Sequence, residues 1–234
     1  MKNIVVTGAS KGIGRAIVLK FAAEGFAVAA CARNENDLKK LRNEVIAIAP
    51  AASHIFQPCD MSDKEQVKEF AAHINSHWHR VEILVNNAGV FIPGQVIDEA
   101  EGNLEKLIET NLYSAYNISR ALIPAMLRAK SGHIFNMCSV ASLAAYPNGG
   151  SYSISKFAML GFSKALREEL KAHGVRVTSL MPGATLTDSW AGTDLPESRF
   201  MRAEDIAQLI FDVYHLSQNT VIEEVVLRPL AGDI

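Results

Sequence analysis

Short, mostly apolar runs alternate along this chain with longer stretches in which apolar residues recur every three or four positions. The runs lie at 4–7, 27–32, 54–59, 83–86, 133–138, 175–181 and 221–227 and are rich in Val and Ile. Strands apolar on both faces belong in a parallel sheet covered by helices on both sides. The periodic stretches predict helices near 13–24, 35–48, 63–77, 100–129, 151–172 and 203–216. Strand followed by helix, repeated, predicts an α/β fold: a doubly wound, seven-stranded parallel sheet flanked by helices and joined by right-handed crossovers. No linker, repeat or low-complexity run divides residues 1–234, so one domain is expected. Asp63, ahead of Glu65, reads as a helix start and Gly25 as a helix stop.

Composition narrows the function more than the fold. Of 234 residues 49% are hydrophobic, and the formal charge of −2 carries no basic surplus for binding nucleic acid. Cys31, Cys59 and Cys138 have no paired spacing, which fits a reducing cytoplasm better than a disulfide framework or structural zinc. A strand-like run begins at once and leaves no room for a signal peptide, while Lys20, Glu24 and Gly25 interrupt the apolar stretch at 16–32 too early for a membrane span. The expectation is a cytoplasmic protein without a membrane partner. His73, His77 and His79 have suggestive spacing but lack a suitable fourth ligand nearby, so no metal is expected.

Candidate chemistry lies in two turns. The first strand runs into Gly8, Ala9, Ser10, Lys11, Gly12, Ile13 and Gly14 at the start of a helix. Glycines there let a pyrophosphate approach backbone amides at a helix N-terminus, where unpaired N–H groups favour an anion. The second lies between Ser139, which follows the fifth run, and Tyr152 and Lys156, which open the helix at 151–172. Tyr152 and Lys156 are one helical turn apart and share a face. A phenol is a usable acid near neutrality, and a nearby ammonium stabilises the phenolate, so the pair can hand a proton to a carbonyl oxygen. The Ser139 hydroxyl, at a strand tip, could bond the same oxygen.

With that glycine turn, Asn86, Asn87, Ala88 and Gly89 after the fourth run, Asn111 in the long helix, and Ser139, Tyr152 and Lys156 in that order, the chain resembles the short-chain dehydrogenases/reductases over essentially its whole length. The resemblance implies a single NAD(P)-binding Rossmann domain with a substrate lid at about 184–201. It implies that Gly8, Ser10, Gly12 and Gly14 line a pyrophosphate with Ile13 beneath, and that Asp60 bonds the adenine. Asn86, Ala88 and Gly89 would steady the sheet beside the cofactor. Pro182, Gly183, Thr185 and Thr187 would meet the nicotinamide carboxamide and pyrophosphate. Tyr152 would be the acid/base and Ser139 would orient the carbonyl. Lys156 would also grip the ribose, and Asn111 would hold a water connecting Lys156 to solvent.

The second run ends at Cys31, Ala32, Arg33 and Asn34 without the acidic residue that would hold a ribose 2′-hydroxyl. Arg33, with Lys11 opposite, suits a 2′-phosphate, so NADP(H) is expected over NAD(H). Phe91, Leu143, Tyr146, Leu186 and Trp190 are candidates to meet the substrate, a small or medium carbonyl compound. The C-terminal half is similar to bacterial reductases of the sepiapterin reductase type, and Asp233 could touch a pterin or hold a subunit contact. A 3-oxoacyl-carrier-protein reductase would want a basic docking patch, with Arg128, Lys130, Arg167 and Lys171 as possible pieces. A sensor that binds NADP(H) without catalysis would be expected to lack the tyrosine or lysine kept here. Apolar residues on more than one face of the helices at 100–129 and 151–172 suggest a homodimer or homotetramer.

Overall fold

The computed structural model describes residues 1–190 and 192–234. Seven parallel strands form one sheet in the order β3-β2-β1-β4-β5-β6-β7. They are β1 (Asn3–Thr7), β2 (Ala27–Ala32), β3 (Ile55–Pro58), β4 (Ile83–Asn86), β5 (Gly132–Met137), β6 (Val175–Pro182) and β7 (Glu224–Leu227). Every residue of β1, β2, β4, β5 and β6 is buried, as a sheet covered on both faces requires, the polar Asn3, Asn86, His133, Asn136, Arg176 and Thr178 included. Edge strand β7 alternates exposed and half-buried positions and starts at 224, three residues later than its apolar run.

Helices α1 (Gly12–Ala23), α2 (Glu35–Ile48), α3 (Lys64–His77), α4 (Asn103–Ile108), α5 (Ser114–Ala129), α6 (Gly150–Leu170) and α7 (Ala203–His215) cover the sheet. One layer packs Ile17, Phe21, Leu41 and Ile210 against Ile4 and Val28; the other packs Phe70, Ile74, Ile118 and Leu122 against Val5 and Leu84. Asp63 starts α3 as expected, its carboxylate accepting from the amides of Glu65 (2.9 Å) and Gln66 (3.2 Å). These bonds hold the Asp63 carboxyl below its ordinary range. Gly25, at φ +80°, ends α1.

The expected helix at 100–129 is divided. Between α4 and α5, Glu109–Tyr113 forms a π-turn centred on Asn111. Widened turns of this kind redirect a side chain within an otherwise continuous helix. Asn111 accepts from the Val90 amide at 2.7 Å and donates to the Val90 carbonyl and the Ser155 hydroxyl, both at 3.0 Å. Side-chain chemistry therefore overrides helical periodicity here.

The strand order reverses direction between β1 and β4. Chains leaving these two strands diverge, which opens a crevice beyond their C-terminal ends. The turn after β1, the stretch after β4 and the ends of β5 and β6 all meet there.

Candidate active site

A cleft of about 1100 Å³ occupies this crevice. Its glycine wall is tightly constrained. Gly8 sits at φ +62°, and a Cβ there would come 2.8 Å from the Ala88 Cα. Gly12, at φ +51°, would place a Cβ 2.9 Å from Thr187 Cγ2. Both conformations disfavour L side chains, and any added atom would fill the approach to the backbone. Gly8→Ala is accordingly expected to weaken dinucleotide binding and lower the melting temperature together; fluorescence titration and a thermal melt would check this.

Ser10, Lys11, Gly12, Ile13, Arg33, Asp60, Ala88 and Gly89 line the cleft, as do Pro182, Gly183, Thr185 and Thr187. Gly14 does not. It is buried under the Gly8 carbonyl, where a Cβ would also lie 2.6 Å from Asn87 Nδ2, so its role is close packing of α1 on the sheet. Asn86 is likewise behind the wall, donating to the Ser119 hydroxyl (3.0 Å) and Asn136 Oδ1 (2.8 Å). The neighbouring Asn87 faces the cleft instead and ties the turns together, donating to the carbonyls of Thr7 and Gly8 at 2.9 Å each. Strand alternation across Asn86 and Asn87 was the available signal for this exchange.

Lys11 lies between two carboxylates, 3.1 Å from Asp188 and 3.4 Å from Asp37, and these raise its pKa. Arg33 lines the same end of the cleft and, among the described residues, makes no ion pair. Asp60 accepts from the Ser62 amide (3.0 Å) and hydroxyl (2.7 Å), which fixes its carboxylate at the cleft rim.

At the other end, β5 delivers Ser139 and α6 delivers Tyr152 and Lys156 to one wall. Ser139 Oγ accepts the Ala141 amide at 3.1 Å, while its own amide donates to Ser142 Oγ at 3.2 Å. These bonds fix the hydroxyl oxygen and leave its hydrogen free to be donated. Lys156 is buried and donates to the Met137 carbonyl at 2.9 Å, with Nζ 5.7 Å from the Tyr152 ring centroid. The Tyr152 ring meets Phe91 edge-on at 4.9 Å. Asn111 stands behind this group rather than lining the cleft, and its side-chain amide is engaged with Val90 and Ser155. Ser155 in turn donates to the Tyr152 carbonyl at 2.7 Å. The structure therefore gives the Asn111 side chain a bracing position between Val90 and Ser155.

Phe91, Tyr146 and Trp190 line the cleft, but Leu143 and Leu186 do not; both are exposed, and Ala144 and Ala145 take the wall beside Tyr146. Burial, with Tyr152 nearby, pushes the Tyr146 phenol up to about 12, so it stays a hydrogen-bond donor. The segment expected as a lid at 184–201 contains Ala191, which lies outside the described residues. Its base is closed by bonds from the Leu186 amide to the Met201 carbonyl (2.9 Å) and from the Met201 amide to the Ala184 carbonyl (3.0 Å). Arg228, Asp233 and Ile234, beyond β7, also line the cleft. Asp233 pairs with Arg228 and comes 3.2 Å from where a Gly183 Cβ would sit. It thus stands in the chain's own cleft, whereas sequence had left a pterin contact and a subunit contact both open.

A switch-point cleft with a glycine wall at one end and a serine, tyrosine and lysine at the other defines an NAD(P)-dependent oxidoreductase. The chain belongs to the short-chain dehydrogenase family, whose model matches residues 2–197. Over 243 aligned residues it is 35% identical to a sepiapterin reductase from Chlorobaculum tepidum, covering 100% of this chain and 99% of the relative. It is 31% identical over 219 residues to a 3-oxoacyl-acyl-carrier-protein reductase from Staphylococcus aureus, covering 89% of each. Among solved structures, an alcohol dehydrogenase from the archaeon Thermococcus sibiricus, complexed with 5-hydroxy-NADP, superposes with a TM-score of 0.92 at 27% identity, covering 100% of this chain and 99% of that one. A metagenomic short-chain oxidoreductase in complex with NADP superposes at 0.84 with 32% identity over 97% and 96% of the two chains.

His73 bonds Gln57 at 2.8 Å and packs against His77; among the described residues no group of three His, Cys, Asp or Glu side chains could hold a metal ion.

Proposed function

We propose that the protein is an NADPH-dependent carbonyl reductase acting on small or medium ketones. The observation that carries this reading is the convergence of Ser139, Tyr152 and Lys156 on the same cleft as the Gly8 and Gly12 wall. The residues present fit the dinucleotide: positive-φ glycines leave backbone exposed for a pyrophosphate, and Arg33 and Lys11 stand where a 2′-phosphate would be read. When bound, the nicotinamide supplies the hydride.

The chain's own residues handle the oxygen and its proton. The Ser139 hydroxyl donates to the substrate oxygen and steadies its developing charge. The Tyr152 phenol gives that oxygen a proton, and the buried Lys156 ammonium favours the phenolate left behind. Lys156 uses one hydrogen on the Met137 carbonyl and keeps others for a ribose. Phe91, Tyr146 and Trp190 form the apolar side of the substrate pocket, with Tyr146 able to donate to a polar substituent. Asn111, through Ser155, keeps the first turn of α6 in place.

Similarity along the whole chain to a sepiapterin reductase supports a pterin side-chain ketone as a second reading. Of the basic residues that the acyl-carrier-protein alternative would use, Arg167 pairs with Glu223 at 3.0 Å and Lys171 with Glu168 at 2.6 Å. Retention of the tyrosine and lysine in the cleft argues against a non-catalytic NADP(H) sensor. Oxidation of NADPH measured over ketones, diketones, acetoacetyl thioesters and sepiapterin tests the substrate class; turnover confined to steroids would overturn it. The specificity constant is expected to be at least about 10-fold higher with NADPH than NADH, since a two-pronged Arg33 contact to phosphate is worth more than about 1.4 kcal/mol. A preference for NADH would overturn the cofactor assignment.

We further read the enzyme as a cytoplasmic homodimer or homotetramer. Its three cysteines are free, and no helix among the described residues is long and apolar enough to cross a membrane. Leu104, Tyr113 and Tyr116 around α4 and α5, and Ile154 and Phe157 on α6, are exposed apolar side chains suited to a second copy. Light scattering that found a monomer would contradict this.

A further inference from the structure

We propose that Cys31, Cys59 and Met61 form a binding site for a soft monovalent metal ion, with the chemistry shared by copper(I) and silver(I), in the wall of the cleft between β2 and β3. Cys31 lies near the end of β2, and Cys59 and Met61 follow β3. Both thiols donate to the same thioether: Cys31 Sγ to Met61 Sδ at 3.5 Å and Cys59 Sγ to Met61 Sδ at 3.7 Å. All three residues are buried, yet Cys59 and Met61 line the cleft, which gives an ion a route from solvent.

The spacing suits a metal better than a disulfide. Cys31 is in register with Gln57, two residues before Cys59. With about 4.8 Å between strands and about 3.3 Å of rise per residue, the Cα atoms of the two cysteines are about 8 Å apart. A disulfide needs less than about 7 Å. By contrast, Met61 Sδ lies 3.5 and 3.7 Å from the two thiol sulfurs, near the separation of about 4 Å between two sulfurs that share one trigonal ion at about 2.3 Å.

Ligand type and charge then choose the ion. Thiol and thioether are soft donors that select copper(I) over hard cations. No group of three His, Cys, Asp or Glu side chains assembles among the described residues, so a zinc-type tetrahedral set is not available. Of the two thiols, Cys59 is the one that lines the cleft and can pass its proton to solvent. On binding, the S–H bond of Cys59 breaks, the metal–sulfur bond forms and the proton passes to solvent. One monovalent ion and one thiolate leave the site neutral, with Cys31 and Met61 as uncharged donors. Neutrality suits the apolar side of the site, formed by Val5, Val67 and Phe70.

The test is an anaerobic titration of the full chain with copper(I) against a chromogenic copper(I) chelator, with thermal melts to establish folding. Wild type is expected to retain one equivalent. Cys59→Ser, Cys31→Ser and the near-isosteric Met61→Leu should each lose at least about 10-fold in affinity, since even outer-shell changes at metal sites cost about 10–100-fold. Cys138→Ser should leave retention intact, because that thiol lies elsewhere, among Ala115, Met159 and Met181. Folded wild type that surrenders all copper to the chelator, cluster variants that bind as wild type does, or loss confined to Cys138→Ser would each overturn the site.

Discussion

Tyr152→Phe is expected to reduce turnover by at least about 10²–10⁴-fold, the contribution usual for a positioned general acid, while cofactor affinity changes little. The reasoning is that this substitution removes one oxygen and keeps the ring. The edge-on packing against Phe91 at 4.9 Å and the place of the ring 5.7 Å from the Lys156 ammonium are both retained, so the wall of the cleft is preserved. What disappears is the phenol hydroxyl that α6 sets in the same cleft as Ser139. Ser139 cannot replace it, for its hydroxyl is a far weaker acid than a phenol and is already fixed by the Ala141 amide at 3.1 Å. Single-turnover absorbance at the nicotinamide band, with cofactor binding measured separately by fluorescence, separates chemistry from binding. A variant with normal turnover would sink the assignment of the acid. A variant that lost binding and turnover in proportion would make Tyr152 a cofactor contact instead.

How much of this site could be read from sequence depends on what kind of constraint each residue meets. Gly8, Gly12, Ser139, Tyr152 and Lys156 were legible because their spacing is tied to strand ends and helix starts, and hydrophobic runs locate those well. Gly14 and Asn86 belong to the same motifs but serve packing and a buried hydrogen-bond chain; spacing alone cannot tell a lining residue from one directly behind it. Asn111 shows a second limit. Its neighbourhood reads as an uninterrupted helix, because a π-turn keeps nearly the same apolar period while side-chain bonds to Val90, 21 residues away, draw it out of register. Leu143 failed for a third reason, since apolarity predicts burial only on average and an irregular stretch has no period to say which side faces in. Arg228 and Asp233 reach the cleft by the route of the chain after β7, and a tail without periodicity carries no signal for that route.

Lys156→Ala should impair two measurements at once, which separates it from every other variant of the site. The lysine is buried, donates to the Met137 carbonyl at 2.9 Å, and its Nζ would lie 3.7 Å from a Cβ on Gly89. It therefore stands between the acid and the strand ends that form the cofactor wall. Losing the ammonium removes the charge that favours the phenolate, so turnover should fall by about 10²-fold or more. It also removes hydrogen-bond donors from the ribose position, so cofactor affinity should fall by about 10-fold, the equivalent of one hydrogen bond to a charged group. A third consequence is structural: the Met137 carbonyl loses its side-chain partner, and an unsatisfied buried acceptor costs about 1–3 kcal/mol. Measuring turnover at saturating cofactor, cofactor affinity and the denaturation midpoint on the same preparation distinguishes these effects. If turnover falls and affinity holds, Lys156 serves the acid alone; if affinity falls and saturated turnover holds, it serves the cofactor alone. Its burial between Met137 and Gly89, at the distance it keeps from Tyr152, requires both to fall.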